Sequence, residues 1–220
     1  MNKTLLKLSI ITICLTLLNC KKDSESFNNF KYATEENVLV CENLNTKLYL
    51  EALLSFEDDI TDKYNPSNKD LRRSYSFFTR DAIAGNANYQ DIVSPHTMEV
   101  FEALKDDQDL WNADNSINYN SDIMTCVSNN FKNKGLQTTF HALISANNMR
   151  SDYFRAPLNK HVKNSNQDRY MATYVALDLF YANLFDVDPT QVTEKPKTQN
   201  TATSENNANN VILKDEQKAE

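Results

Sequence analysis

Residues 167–185, QDRYMATYVALDLFYANLF, settle the fold class. Tyr170, Tyr174, Leu177, Tyr181 and Leu184 recur at steps of four and three, one line along a helix, and Met171, Val175 and Phe180 widen it. The spacing predicts a helix over these residues, the most hydrophobic part of the chain after its N-terminal segment, and therefore central to the fold. One residue disagrees with its neighbours: Asp178 stands between Leu177 and Leu179. A carboxylate there either faces solvent or is buried and paired, because an unpaired buried charge is costly. The available cations are Arg72, Arg73, Arg80, Arg150, Arg155 and Arg169. A structural role and a role as a ligand-facing acid in an interhelical pocket both fit that position.

The same period recurs along the rest of the chain. Tyr49, Leu53, Phe56, Ile60 and Tyr64 mark one helix face, widened by Leu50 and Leu54 and ended by Asn65-Pro66. Residues 67–70 offer a cap for a helix carrying Leu71, Tyr75, Phe78 and Ala82, which Gly85 stops. Ser94-Pro95 pairs an N-cap serine with proline at the first helical position, ahead of Met98, Phe101 and Leu104. Ser121 caps a helix with Ile123, Val127 and Phe131 inward; Gly135 separates it from one with Leu136, Phe140 and Leu143. Pro157 interrupts any helix beyond Asn148. Residues 38–40 read equally as a short strand or a helix start. The chain has only 2 glycines in 220 residues, which argues against sandwiches, barrels and phosphate loops. The expectation is an all-α, single compact bundle of about five to six helices over residues 30–188, followed by a disordered tail over 189–220 rich in Thr, Asn, Lys and Glu.

The N-terminus has a different logic. Lys3 and Lys7 precede an apolar run over residues 8–18, whose helical length of about 16 Å is half of a bilayer core. This is the layout of a secretory signal. The run ends in Leu17-Leu18-Asn19-Cys20 instead of a small-x-small cleavage site. These four residues resemble the lipobox of bacterial lipoproteins, of the Bacteroidota or flavobacterial type; Leu18 is bulkier than the commonest residue at its place. The resemblance implies thioether attachment of a diacylglyceryl group to Cys20, cleavage between Asn19 and Cys20 that removes residues 1–19, and acylation of the new amine. Several acyl chains hold a membrane firmly where one holds it marginally. Residues 20–29 then form a lipidated tether. Lys21 stands where an aspartate often signals inner-membrane retention, which favours the outer membrane, and Lys21-Lys22-Asp23 is similar to export signals of surface lipoproteins; a plain solvated linker explains the same run. Cell-envelope localisation, on the periplasmic or the surface side, is the expectation.

Loss of residues 1–19 would carry the formal charge from −7 to −9, which makes nucleic acid an unsuitable partner. Cys14 would leave with the signal, so Cys41 and Cys126 remain, as a disulfide or as two buried thiols. His96 and Glu99 share a helix face, but a zinc-protease helix needs two histidines four apart, and His96 in a first turn reads as a surface residue. Asp107, Asp109, Asn112 and Asp114 have the composition of a calcium loop without its glycine and terminal glutamate. His141 and His161 lack partners at fixed spacing. No metal or cofactor is implied. The expected function is a membrane-anchored, non-catalytic binding or interaction module for an envelope protein or small ligand; the alternative is an envelope-tethered enzyme using Asp178 or residues 107–114 in an interhelical pocket.

Overall fold

The computed structural model describes residues 27–149 and 151–194; residues 1–26, including the lipobox and Cys20, and most of the C-terminal tail lie outside the described residues. Among the described residues there are eight α-helices and no strand, only an isolated bridge between Trp111 and Ile117. The helices are α1 (Lys47–Tyr64), α2 (Leu71–Ile83), α3 (Tyr89–Ile92), α4 (Pro95–Lys105), α5 (Asp122–Asn129), α6 (Lys134–Ser145), α7 (Ser151–His161) and α8 (Arg169–Tyr174). The fold is all-α, with one contiguous hydrophobic core running from Leu39 to Leu184.

Side-chain caps set most helix starts. Asp70, Ser94, Ser121 and Asn133 each accept a hydrogen bond from the backbone N–H three residues on, which satisfies one of the orphan donors of a first turn. Asn133 begins α6, so Gly135 lies inside that helix and does not separate it from α5. Gly85 has φ +72°, the left-handed conformation that glycine adopts without steric cost after α2. Pro157 does not interrupt a helix as expected; it lies within α7. Residues 38–40 form neither strand nor helix: Leu39 is fully buried, its carbonyl held by the Thr46 hydroxyl, while Val40 is exposed.

Two elements organise the core. Helix α1 packs against α2, α3, α4 and α8, and is buried on more than its apolar stripe: Glu51, Ser55, Glu57 and Asp59 are buried with Leu53, Phe56 and Ile60. The second is the segment that begins at α8. It is one continuous run but not one α-helix. It opens at Arg169, with Asp168 as cap, widens to a π-helix over Val175–Phe180, and tightens to a 3₁₀-helix over Tyr181–Asp186. The 3.6-residue period of the sequence predicts a uniform helix here, and the buried line is kept through the change of pitch: Tyr174, Leu177, Tyr181 and Leu184 are all buried. π-turns of this kind concentrate at functional sites.

Aromatic rings fill the space between these elements. Phe56 meets Tyr75, Phe78 and Phe180 with centroids 5.0–5.7 Å apart, and Tyr174 meets Phe131, Phe140 and Phe154 at 5.2–6.1 Å. Burying each such ring is worth about 1.5–3 kcal/mol, with about 0.5–1.5 more per well-placed pair. Packing extends past both ends of residues 30–188: Phe27 and Val192 lie against the core, and Pro189–Gln191 form a turn capped by Asp188. A disulfide joins Cys41 to Cys126, with Cα atoms 5.8 Å apart, and fastens the segment before α1 to α5. The Tyr170 hydroxyl holds the neighbouring Val40 carbonyl at 3.3 Å.

Candidate functional site

Besides Asp168, which caps α8 and accepts the backbone N–H of Lys132, the core closes around four buried carboxylates, three of them on α1. Glu57 is held by Arg169, whose two guanidinium nitrogens donate at 2.6 and 2.9 Å, and by the Tyr75 hydroxyl at 2.7 Å. Burial opposes the Arg169 charge, but the hydrogen bonds and charge of Glu57 outweigh it and hold the guanidinium pKa above its ordinary value. Glu51 accepts the backbone N–H groups of Lys31 and Tyr32 at 2.7 and 3.1 Å and meets His96 Nε2 at 2.7 Å. His96 is thus not a surface residue: the first turn of α4 points it at Glu51, and the contact ties α4 to α1. Glu99 instead accepts from Asn29, at 2.5 Å. Asp59 accepts the backbone N–H of Ser94 at 2.9 Å and so helps to start α4.

The fourth carboxylate, Asp178, is nine-tenths buried in the π-helical turn. The Tyr119 hydroxyl donates to one of its oxygens at 2.6 Å and the Tyr174 hydroxyl to the other at 2.8 Å. The expected buried arginine pair is not what holds it. Arg169 belongs to Glu57 and Arg80 to Asp81, Arg72 and Arg73 are exposed, and Arg150 lies outside the described residues. Arg155 on α7 lies nearby, and its charge is felt at Asp178. Burial raises the Asp178 pKa above the usual carboxylate range, against the two tyrosine hydrogen bonds and Arg155, which pull it down. Burial, then the charge of Asp178, raises the pKa of both Tyr119 and Tyr174, so these hydroxyls stay protonated donors. Tyr89 is pushed up to about 12 by the same two causes, with Arg155 opposing.

Asp178 lies at a cleft of about 330 Å³, within the lower range of small-molecule sites. Tyr89, Tyr119, Arg155, Leu179 and Asn183 also line it. The Leu179 carbonyl, in the π turn, accepts both the Tyr89 hydroxyl at 2.9 Å and the Asn183 amide at 3.1 Å. Exposed Asp114 and Asp186 stand at its rim, so the structure brings together two acids that are 64 positions apart in sequence, Asp114 and Asp178.

The remaining acids of residues 107–114 do not converge. Asp107 accepts from the Tyr49 hydroxyl and from the backbone of Asp109 and Leu110; Asp109 accepts from the backbone of Asp122; Asp114 accepts from Ser116. They fold the loop around the Trp111–Ile117 bridge. Among the described residues no group of three or more His, Cys, Asp or Glu side chains is placed to hold a metal ion. His161 Nδ1 lies 3.2 Å from Asn133, and His141 packs beside Phe140.

Sequence reasoning missed Glu51, Glu57 and Asp59 as buried acids and Tyr119 as a site residue. The wide apolar stripe of α1 was a signal for the first three, since little of such a helix is left for solvent. Tyr119 had no signal, being the last residue of a polar connection. No family, curated protein or solved structure matches the chain in comparisons of sequence and fold.

Proposed function

We propose that the chain is a lipid-anchored protein of the bacterial cell envelope, held in the outer membrane by Cys20, whose helical domain is a non-catalytic module that binds a small polar ligand in the cleft at Asp178. One observation carries the binding reading: a nine-tenths buried carboxylate lines the cleft, fixed by two tyrosine hydroxyls. The lipobox-like residues 17–20 support the anchor. The Cys41–Cys126 bond is of the kind that persists outside the reducing cytosol. Among the described residues no helix is long and apolar enough to cross a membrane.

Two experiments test it. Cells fed a palmitate analogue should label the wild-type protein and not Cys20→Ser; equal labelling removes the anchor. Trp111, the single tryptophan, packs 5.0 Å from Phe185 on the cleft wall, so its emission reports occupancy. A panel of small polar compounds should include one that shifts this emission saturably in the wild type and not in Asp178→Asn. A panel without such a compound defeats the binding reading.

A second reading, an envelope enzyme, draws on the position of Asp178 in the cleft and on burial raising its pKa, the direction in which general acids are tuned. Turnover of any substrate that Asp178→Asn abolishes while leaving its binding intact would favour the enzyme.

A further inference from the structure

Paired aspartates at a rim are commonplace on an acidic protein; the distinctive feature here is the way hydrogen-bonding capacity is divided inside the cleft. The hydroxyl protons of Tyr119 and Tyr174 are spent on Asp178, that of Tyr89 on the Leu179 carbonyl, and that of Ser116 on Asp114. One Asn183 N–H is spent on the same Leu179 carbonyl. Acceptors are left over. A carboxylate has about four lone-pair sites, and two of those on Asp178 are taken by the tyrosines. Among the described residues nothing donates to Asn183 Oδ1 or to Asp186. The charge balance points the same way: Asp114, Asp178 and Asp186 line the cleft against Arg155. Tyr89, Tyr119 and Phe185 add aromatic walls, which attract cations as well as alkyl chains.

We infer that the cleft takes a small aliphatic amine in its protonated form, its ammonium group donating to Asp178 and Asn183 Oδ1 and its alkyl chain lying among the aromatic rings. This rests on the binding reading above and specifies its ligand class. An ammonium brings three donors and no acceptor, which suits the open acceptors of Asp178 and Asn183 and the acidic excess of the cleft; the Arg155 guanidinium is a donor in the same cleft and repels the ammonium toward the carboxylates. A neutral polyol brings as many acceptors as donors and would leave the charge uncompensated. A phosphate would meet three carboxylates. A bare divalent cation would use the carboxylates but gain little from the aromatic walls.

The test is calorimetric titration of the full-length lipoprotein in neutral detergent at low salt. The probes are 1,4-diaminobutane and hexylamine, with a neutral hexose, calcium chloride and sodium phosphate alongside. The expected result is saturable binding of one amine per chain, weakened at least tenfold by Asp178→Asn, several-fold by Asp186→Asn and progressively by added salt. Asp186 is exposed, so Asp186→Asn keeps the fold and the test stands even if Asp178→Asn perturbs it. If neither amine binds and the hexose or phosphate binds instead, with loss in Asp178→Asn, the amine class is overturned while the binding cleft survives. If calcium binds and competes the amine away at equal ionic strength, the site is a cation site and the amine inference falls. If no probe binds, the inference falls, and the compound panel read by Trp111 decides the parent reading separately.

Discussion

Glu57 and Asp178 are both buried acids within an aromatic core, yet they are treated in opposite ways. Glu57 has a guanidinium donating two parallel hydrogen bonds and a tyrosine hydroxyl donating a third. Asp178 has two hydroxyls, the charge of Arg155 and an open side. Bidentate pairing with arginine neutralises a carboxylate and fixes its geometry. Hydroxyls fix geometry and leave the charge largely uncompensated, which is why burial dominates at Asp178 and raises its pKa. Glu57 ties α1 to α2 and α8. Asp178 is the acid with an open side, on which the binding reading depends.

The largest expected effect is at the paired acid. Arg169→Met should leave Glu57 buried without its cation, and breaking a buried pair from one side costs about 3–5 kcal/mol. Chemical denaturation should show a correspondingly lower midpoint. If Arg169→Met unfolds at nearly the wild-type midpoint, Glu57 is not a structural anchor and the contrast with Asp178 collapses.

The next effect has the opposite sign. The folded pKa of Asp178 is raised above its unfolded value, so proton uptake favours the folded state. The stability this acid contributes is full below the ordinary carboxylate pKa and is lost as pH rises through the folded value. Above the ordinary carboxylate range the cost of ionising this buried acid therefore weakens the fold, and at pH 7 Asp178→Asn should melt higher than wild type, with each kcal/mol gained worth about 2–4 °C at this chain length. Asn supplies an acceptor oxygen, and a tyrosine hydroxyl also accepts, so the local hydrogen bonds have partners. The advantage should shrink as pH is lowered through the raised folded value and be gone below the ordinary carboxylate pKa of about 4. A variant that melts lower than wild type at pH 7 would place Asp178 with Glu57, as a structural acid.

That difference was only partly legible in the sequence. Periodicity located the buried faces of α1, α2 and α4, because local spacing specifies which residues of a helix meet the core. Caps at Ser94 and Ser121 were legible because capping is a contact across three residues. The partners of the acids were not, because they are distant: Tyr119 reaches Asp178 across 59 positions, and Arg169 reaches Glu57 across 112. Asp178 stood out among leucines, but its sequence surroundings are the same for an arginine-paired acid and a hydroxyl-held one. The π turn was illegible for another reason. The line from Tyr174 to Leu184 fits the α period, and the same residues stay buried after the pitch changes.

The smallest effects separate the two hydroxyls that hold Asp178. Tyr174 is fully buried among Phe131, Phe140 and Phe154, so Tyr174→Phe removes a donor from the dry side of the carboxylate, where nothing replaces it. Loss of one partner from a buried group costs about 1–3 kcal/mol. Tyr119 is half-buried and lines the cleft, where a solvent molecule has room to donate in its place at small entropic cost. Tyr119→Phe should therefore cost less stability than Tyr174→Phe, below about 1 kcal/mol for a hydrogen bond replaced by one to water. Its main consequence should fall on the cleft: a bound ligand must displace that water, so affinity should change more than the melting temperature. Equal losses of stability in the two variants would mean that both sides of Asp178 are equally dry, and the open side on which the binding reading depends would not exist.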